Sequence, residues 1–177
     1  LLTYSRVSRT ARPFTSVDMT EMAYQILEDL EPLILRTQAR IDIGDLGVIE
    51  AEEVQMRQLL QNLISNALKF HKDDKPPFVQ IYSTVHVPKH LQDNPDEEQN
   101  QIRRIIVKDN GIGFSEEETG QAFGIFQRLH SGSNNHGTGI GLALCQRIAE
   151  YHDGKIRASS APGKGSTFVV ALPVKQR

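Results

Sequence analysis

Between Glu52 and Phe70, Val54, Leu59, Leu60, Leu63, Ile64, Ala67 and Leu68 recur at spacings of three and four. That stripe predicts the strongest helix of the chain. A second helical period runs through Met22, Ile26, Leu27 and Leu30 to Pro32, which should kink or interrupt it. Asp18, with Glu21 three residues on, predicts its N-terminal cap. A third helix is predicted over Gly139–Tyr151, with Gly154 as its stop. Alternation at period two predicts strands at Phe14–Val17, Arg40–Ile43, Phe78–Val85 and Ile102–Lys108. Gly44 and Gly47 bracket a turn before a further short strand. Ile156–Ser160 and Ser166–Leu172 form a predicted closing hairpin around PGKG. His90–Gln101, HLQDNPDEEQNQ, reads as a long exposed hairpin loop, Phe123–Leu129 as a short helix or turn, and SGSNNH has the composition of a mobile loop.

Composition narrows this picture without naming a function. The 177 residues suffice for one sizeable core. A net charge of −2 supplies no global field toward nucleic acid or an acidic membrane, so no nucleic-acid partner is expected. The one cysteine, Cys145, excludes an internal disulfide, and its apolar neighbours predict a buried thiol in a reducing compartment. No long apolar run or signal peptide is visible, and a cytoplasmic location is expected even if the parent protein is membrane-anchored. The start at LLTYSRV, without Met, suggests a piece of a longer protein. Leu1, Leu2, Tyr4 and Val7 look like the last turns of an amphipathic helix, followed by the linker SRTAR.

Three pieces carry candidate chemistry. Asn62 and Asn66 lie four apart on the strong helix, with Lys69 beside them and Phe70 next. Solvated surface amides are one reading. The other is an amide oxygen of Asn66 for Mg²⁺, a cation that takes oxygen donors and borrows others from phosphates. Lys69 would then face polyphosphate and Phe70 would wall a purine. Asp109 ends an apolar strand and begins DNGIGF. A plain Asp-Asn-Gly turn would leave Gly113 and Phe114 unexplained. Gly111 and Gly113 would let backbone approach a flat ligand, and the Asp109 carboxylate could accept from the exocyclic amine of adenine. Gly137-Thr138-Gly139-Ile140-Gly141 precedes a helix whose N-terminus suits phosphate. It is not a dinucleotide fingerprint, because Leu142 stands where that pattern needs glycine, and no P-loop string exists.

NLISNALKF, DNGIGF, FGIFQRLH and GTGIGLAL, in this order and with PGKGSTFVVALP closing, resemble the boxes of the sensor histidine kinase catalytic domain. That domain belongs to the wider superfamily holding DNA gyrase, mismatch-repair and heat-shock chaperone ATPases. The resemblance covers roughly residues 14–174, and FQRLH with a short lid is similar to the subgroup fused to phytochrome and PAS sensors. It implies an α/β (α+β) two-layer sandwich of Bergerat type: a mixed, mostly antiparallel sheet covered on one face by three main helices. Residues 13–177 would be the ATP-binding domain, and residues 1–12 the end of a dimerisation helix and its linker.

By position, the resemblance implies Asn66 as Mg²⁺ ligand, Asn62 as its polar neighbour, Lys69 as phosphate contact and Phe70 as adenine wall. Asp109 corresponds to the adenine-amine acceptor. Gly111, Gly113, Gly137, Thr138, Gly139, Gly141 and Leu142 would line the cradle and lid, and Arg128 would neutralise the γ-phosphate. Thr167 matches a hydroxyl on the adenine side. FGIF lacks the proline often found in its box, and SGSNNH carries no Lys, Arg, Asp or Glu, which predicts a lid with a weak grip.

Asn62 separates two chemistries. In hydrolysing relatives a Glu four residues before the metal-binding Asn activates water, and an amide cannot act as a base. The resemblance thus implies ATP-Mg²⁺ as phosphoryl donor, a histidine on upstream dimerisation helices as acceptor, a homodimeric parent, and a response regulator receiver domain as next partner. A superfamily ATPase or a non-catalytic nucleotide-binding scaffold are the alternatives. None of the six histidines fits the acceptor pattern: His71, His86, His90 and His152 read as surface or element-end residues, and His130 and His136 flank the lid.

Overall fold

The structure, a computed structural model, describes residues 12–93, 98–121, 123 and 141–176, with residues 119–121 described by backbone alone. Asp18 accepts the N–H groups of Thr20 and Glu21 on one carboxylate oxygen, each at 3.0 Å, and so starts helix α1, Met19–Asp29. That oxygen satisfies two of the donors a helix start leaves open. Pro32 does interrupt the helical run: α1 stops at Leu30, and α2, Glu31–Thr37, begins with the proline in its first turn. The strong helix is α3, Glu53–Lys69, capped by Glu52, whose two carboxylate oxygens accept from Val54 and Gln55 N–H. A short helix α4, Glu116–Gln121, follows the first glycine motif and has no counterpart among the predicted elements. The last helix, α5, spans Gly141–Tyr151; its two further predicted residues, 139 and 140, lie outside the described residues.

Strands β1, Thr15–Asp18, and β3, Val48–Ala51, pair antiparallel as a separate two-stranded sheet. The main sheet holds β2, Arg40–Ile43; β4, Phe78–His86; β5, Ile102–Asp109; β6, Lys155–Ser160; and β7, Ser166–Pro173. Its order is β2-β4-β5-β7-β6, with only the β2–β4 pair parallel. This is the expected mixed, mostly antiparallel sheet. Helices α1, α3 and α5 cover one face: Met22 and Ile26, Leu60 and Leu63, and Ile148 meet Ile81, Ile105, Val107, Val170 and Leu172 in one core. Each fully buried Leu or Ile side chain there contributes about 2 kcal/mol.

One member of the predicted stripe is not in the core. Val54, in the first turn of α3, is 44% exposed. The β4–β5 connection is a hairpin loop containing two single-turn 3₁₀ segments, Lys89–Leu91 and Glu98–Asn100. Lys175 Nζ reaches both Glu98 and Glu50 at 3.3 Å, tying the loop's far end to the C-terminal segment.

Candidate nucleotide-binding site

A cleft opens between the C-terminal half of α3 and the end of β5. Its walls include Asn66, Ala67 and Phe70 from α3, Asp109 and Ile112 to Phe114 from the first glycine motif, Leu142 from α5, and Ser166 and Phe168 from β7. The cleft is open to solvent and holds about 30 Å³ of free space among the described residues. Asn66, Phe70, Asp109, Gly113 and Leu142, all read from sequence as site residues, therefore share one cavity. The side-chain amide of Asn66 has no hydrogen-bond partner among the described residues, which leaves its oxygen available to a ligand. Lys69 is exposed in the last turn of α3.

Asp109 is the electrostatic centre. Its Oδ1 accepts the N–H of Gly111 at 2.8 Å and of Ser166 at 3.2 Å, while Oδ2 has no partner among the described residues. Burial pushes the carboxyl up to about 6, against the lowering pull of those two N–H groups. A half-satisfied, desolvated carboxylate is an acceptor waiting for a donor.

The glycines around it serve the protein's own backbone. A Cβ on Gly111 would lie 2.2 Å from the Phe70 carbonyl oxygen, the atom that accepts the Ile112 N–H. Gly113 has φ +64°, and a Cβ there would meet the Ala161 carbonyl oxygen at 2.1 Å. Beside the expected approach to a flat ligand, these glycines answer to the protein's own packing. The close approaches are to α3 and to the β6–β7 turn, and they hold Asp109 in place.

Asn62 faces elsewhere. A Cβ on Gly141 would be 3.3 Å from Asn62 Oδ1, and the Asn62 side chain lies beside Cys145, whose Sγ reaches the Leu59 carbonyl at 3.6 Å. The amide thus packs against the start of α5 and does not line the cleft. Cys145 is fully buried as expected, with its thiol pushed up to about 12 by burial. Thr167 requires a correction. Alternation along β7 turns Ser166 and Phe168 toward the helices and Thr167 to the opposite face of the sheet. The hydroxyl on the site side belongs to Ser166. The signal was present in the sequence, since an inward Phe168 fixes Ser166 two residues earlier on the same side.

His152 also departs from expectation. It ends α5 but is 1% exposed; its Nε2 accepts the Glu52 N–H and its Nδ1 donates to the Ile148 carbonyl at 2.7 Å. Arg128, Gly137, Thr138 and Gly139 lie outside the described residues. No helix among the described residues is long and apolar enough to cross a membrane.

Comparison with known proteins speaks to family and fold. Residues 51–176 match the family described as histidine kinase-, DNA gyrase B-, and HSP90-like ATPase. The phytochrome-like protein Cph1 of Synechocystis is 35% identical over 174 residues, covering 98% of this chain and 21% of Cph1. The chain thus spans about a fifth of the length of that relative. Full-length ShkA in complex with AMPPNP superimposes with a TM-score of 0.76 at 22% identity, over 99% of this chain and 35% of that one. Histidine kinase ThkA in complex with response regulator protein TrrA does so at 0.67 and 20% identity, over 91% and 42%. At such identities these two superpositions speak to the fold. With the cleft between α3 and β5 and the match over residues 51–176, the chain belongs to the family of histidine kinase-, DNA gyrase B- and HSP90-like ATPases.

Proposed function

We propose that this chain is the ATP-binding catalytic domain of a sensor histidine kinase, delivering the ATP γ-phosphoryl group to a histidine on a dimerisation helix of the parent protein. The observation that carries the adenine half of this reading is the free Oδ2 of the half-buried Asp109 in a cleft bounded by Phe70 and Ile112. An amine donor from adenine would complete its coordination, and a 6-oxo base would oppose it with lone pairs.

Asn66 presents an unengaged amide on the same cleft, which suits one oxygen ligand to Mg²⁺. Among the described residues no cluster of acids or histidines builds a metal cage, as fits an ion that arrives with phosphates. Bound Mg²⁺ would neutralise charge on the β- and γ-phosphates. Lys69, exposed one turn after Asn66, can swing onto the polyphosphate. Arg128, Gly137, Thr138 and Gly139 are proposed for the lid and γ-phosphate side.

The kinase half of the reading rests on Asn62. It occupies the place where a hydrolase would carry its base, and its amide packs against the start of α5. The chain itself therefore supplies positioning and charge, and the nucleophile comes from the acceptor imidazole. Residues 1–12 are proposed as the end of the second dimerisation helix and its linker, the parent as a cytoplasmic-facing homodimer, and a receiver-domain aspartate as the next phosphoryl acceptor.

The test is a fusion of this chain to a cognate acceptor-helix pair, incubated with labelled ATP. Acid-labile, alkali-stable phosphate on the helices is expected. Good nucleotide binding with no transfer sinks the kinase assignment, and Asn62-dependent hydrolysis by the chain alone would favour an ATPase.

A further inference from the structure

Two serines facing each other at the open end of the β6–β7 ladder form a hydroxyl relay whose polarity can be worked out. Ser160 and Ser166 are direct cross-strand partners, and their Oγ atoms lie 2.9 Å apart. Ser160 Oγ also accepts the Phe114 N–H at 2.9 Å and stands 2.9 Å from the Gly165 carbonyl oxygen. A serine hydroxyl has one hydrogen and two lone pairs, and a carbonyl can only accept. The Ser160 hydrogen is therefore committed to Gly165, whose buried carbonyl would otherwise lack a donor. The bond between the serines must then use the hydrogen of Ser166.

This has a consequence in the cleft that Ser166 lines. With its only hydrogen turned toward Ser160, Ser166 Oγ offers lone pairs alone to an incoming base. Asp109 stands beside it, joined through the Ser166 N–H to Oδ1 and keeping Oδ2 free. Two neighbouring acceptors match the two N–H bonds of the adenine 6-amine. Both are repelled by the 6-carbonyl of hypoxanthine or guanine.

We propose that Ser160 is a specificity-positioning residue: by fixing the Ser166 hydroxyl as an acceptor, it strengthens rejection of 6-oxopurine nucleotides at the Asp109 wall. The proposal rests on the adenine-nucleotide reading given above. Ser160 does not line the cleft and acts only through Ser166.

Calorimetric titration of the chain with ATP and with ITP tests it, because these ligands differ in the purine only by the 6-amine against the 6-carbonyl with its N1 proton. In Ser160→Ala the Ser166 hydrogen is released and can donate to a 6-carbonyl. The ATP-over-ITP affinity ratio should fall about three- to tenfold, mainly through tighter ITP binding. Ser160→Thr keeps the hydroxyl and should keep the wild-type ratio. Ser166→Ala should weaken ATP by removing an acceptor and tighten ITP by removing a repelling lone pair, so the ratio falls by a different route. If Ser160→Ala does not fold, the other two variants decide. An unchanged ratio in folded Ser160→Ala overturns the relay, as does a ratio raised in Ser166→Ala, since that would mean Ser166 donates to the ligand. A wild-type chain that binds ATP and ITP equally overturns the adenine reading and the relay together. A wild type that prefers ATP with a ratio insensitive to both serines overturns the relay alone.

Discussion

Glu52 and His152, one hundred positions apart, are joined by a buried hydrogen bond in which the Glu52 N–H donates to His152 Nε2 at 3.0 Å. The bond locks the start of α3 to the end of α5, the helix that begins beside Asn62. With Nδ1 donating to the Ile148 carbonyl, the imidazole is held neutral in one tautomer, and burial lowers its pKa below the usual histidine value. A proton added at Nε2 would point at the Glu52 N–H.

Stability should therefore depend on pH through His152. Below about pH 6.5 the unfolded chain takes up a proton that the native chain refuses, so stability falls as pH drops from there toward the lowered native value. His152→Ala should cost about 2–4 kcal/mol at pH 7 and flatten the pH dependence below about 6.5. Urea denaturation of both proteins across that range measures it; parallel curves would refute the buried neutral imidazole.

Asp109 has the opposite sign. Its native pKa of about 6 lies above its ordinary 3.8, so the native chain holds the proton more tightly between these values. Its contribution to stability is fully present below 3.8 and lost as pH rises to about 6. Above that, the partly desolvated charge is a cost to stability. Asp109→Asn retains an oxygen for the Gly111 and Ser166 N–H groups and should raise stability at pH 7 by roughly 1–3 kcal/mol. The same variant should lose discrimination for adenine nucleotides, and wild-type ATP affinity should weaken as pH falls through about 6. Thermal melts and titrations at pH 7 and 5 check both; an Asp109→Asn protein less stable than wild type, or still selective, contradicts the assignment.

Glycine substitutions should separate backbone strain from collision. Gly163 has φ +76° with nothing within 4 Å of an added Cβ, so Gly163→Ala should cost only about 1–2 kcal/mol. Gly113→Ala adds to a similar φ a 2.1 Å contact with the Ala161 carbonyl and should cost more than about 3 kcal/mol. Equal losses of stability would show that the first glycine motif can shift freely.

Lys69 and Asn66 should act on ligand and not on fold. Lys69 is exposed, and the Asn66 amide has no protein partner among the described residues. Lys69→Ala should lower ATP affinity about three- to tenfold with an unchanged melting temperature. Asn66→Ala should reduce ATP binding in Mg²⁺ to the level seen with the metal chelated. Undiminished Mg²⁺ dependence in Asn66→Ala would remove it as the proposed ligand.

Much of the architecture was legible along the chain because it follows from local periodicity. The 3.6-residue stripe of α3, the proline break after α1, and the alternation of β4, β5 and β7 each depend on neighbours in sequence. The grouping of Asn66, Phe70 and Asp109 was legible through family resemblance, and the fold brings them to one cleft. Contacts between distant segments were harder to read. His152 looks like an ordinary element-end residue until Glu52 is seen against it. Thr167 and Ser166 are chemically alike, and only the inward side of β7 chooses between them.

By itself the sequence determined which segments become helix or strand, and which residue types reach the nucleotide cleft. Backbone dihedrals and burial patterns are encoded at short range. Only the tertiary structure decided why Gly111 and Gly113 must be glycine, that Asn62 packs toward Cys145, and which way the Ser160–Ser166 hydroxyls point. Those outcomes depend on ångström-scale approaches between residues up to a hundred positions apart. Close packing fixes such distances only when every segment is in place.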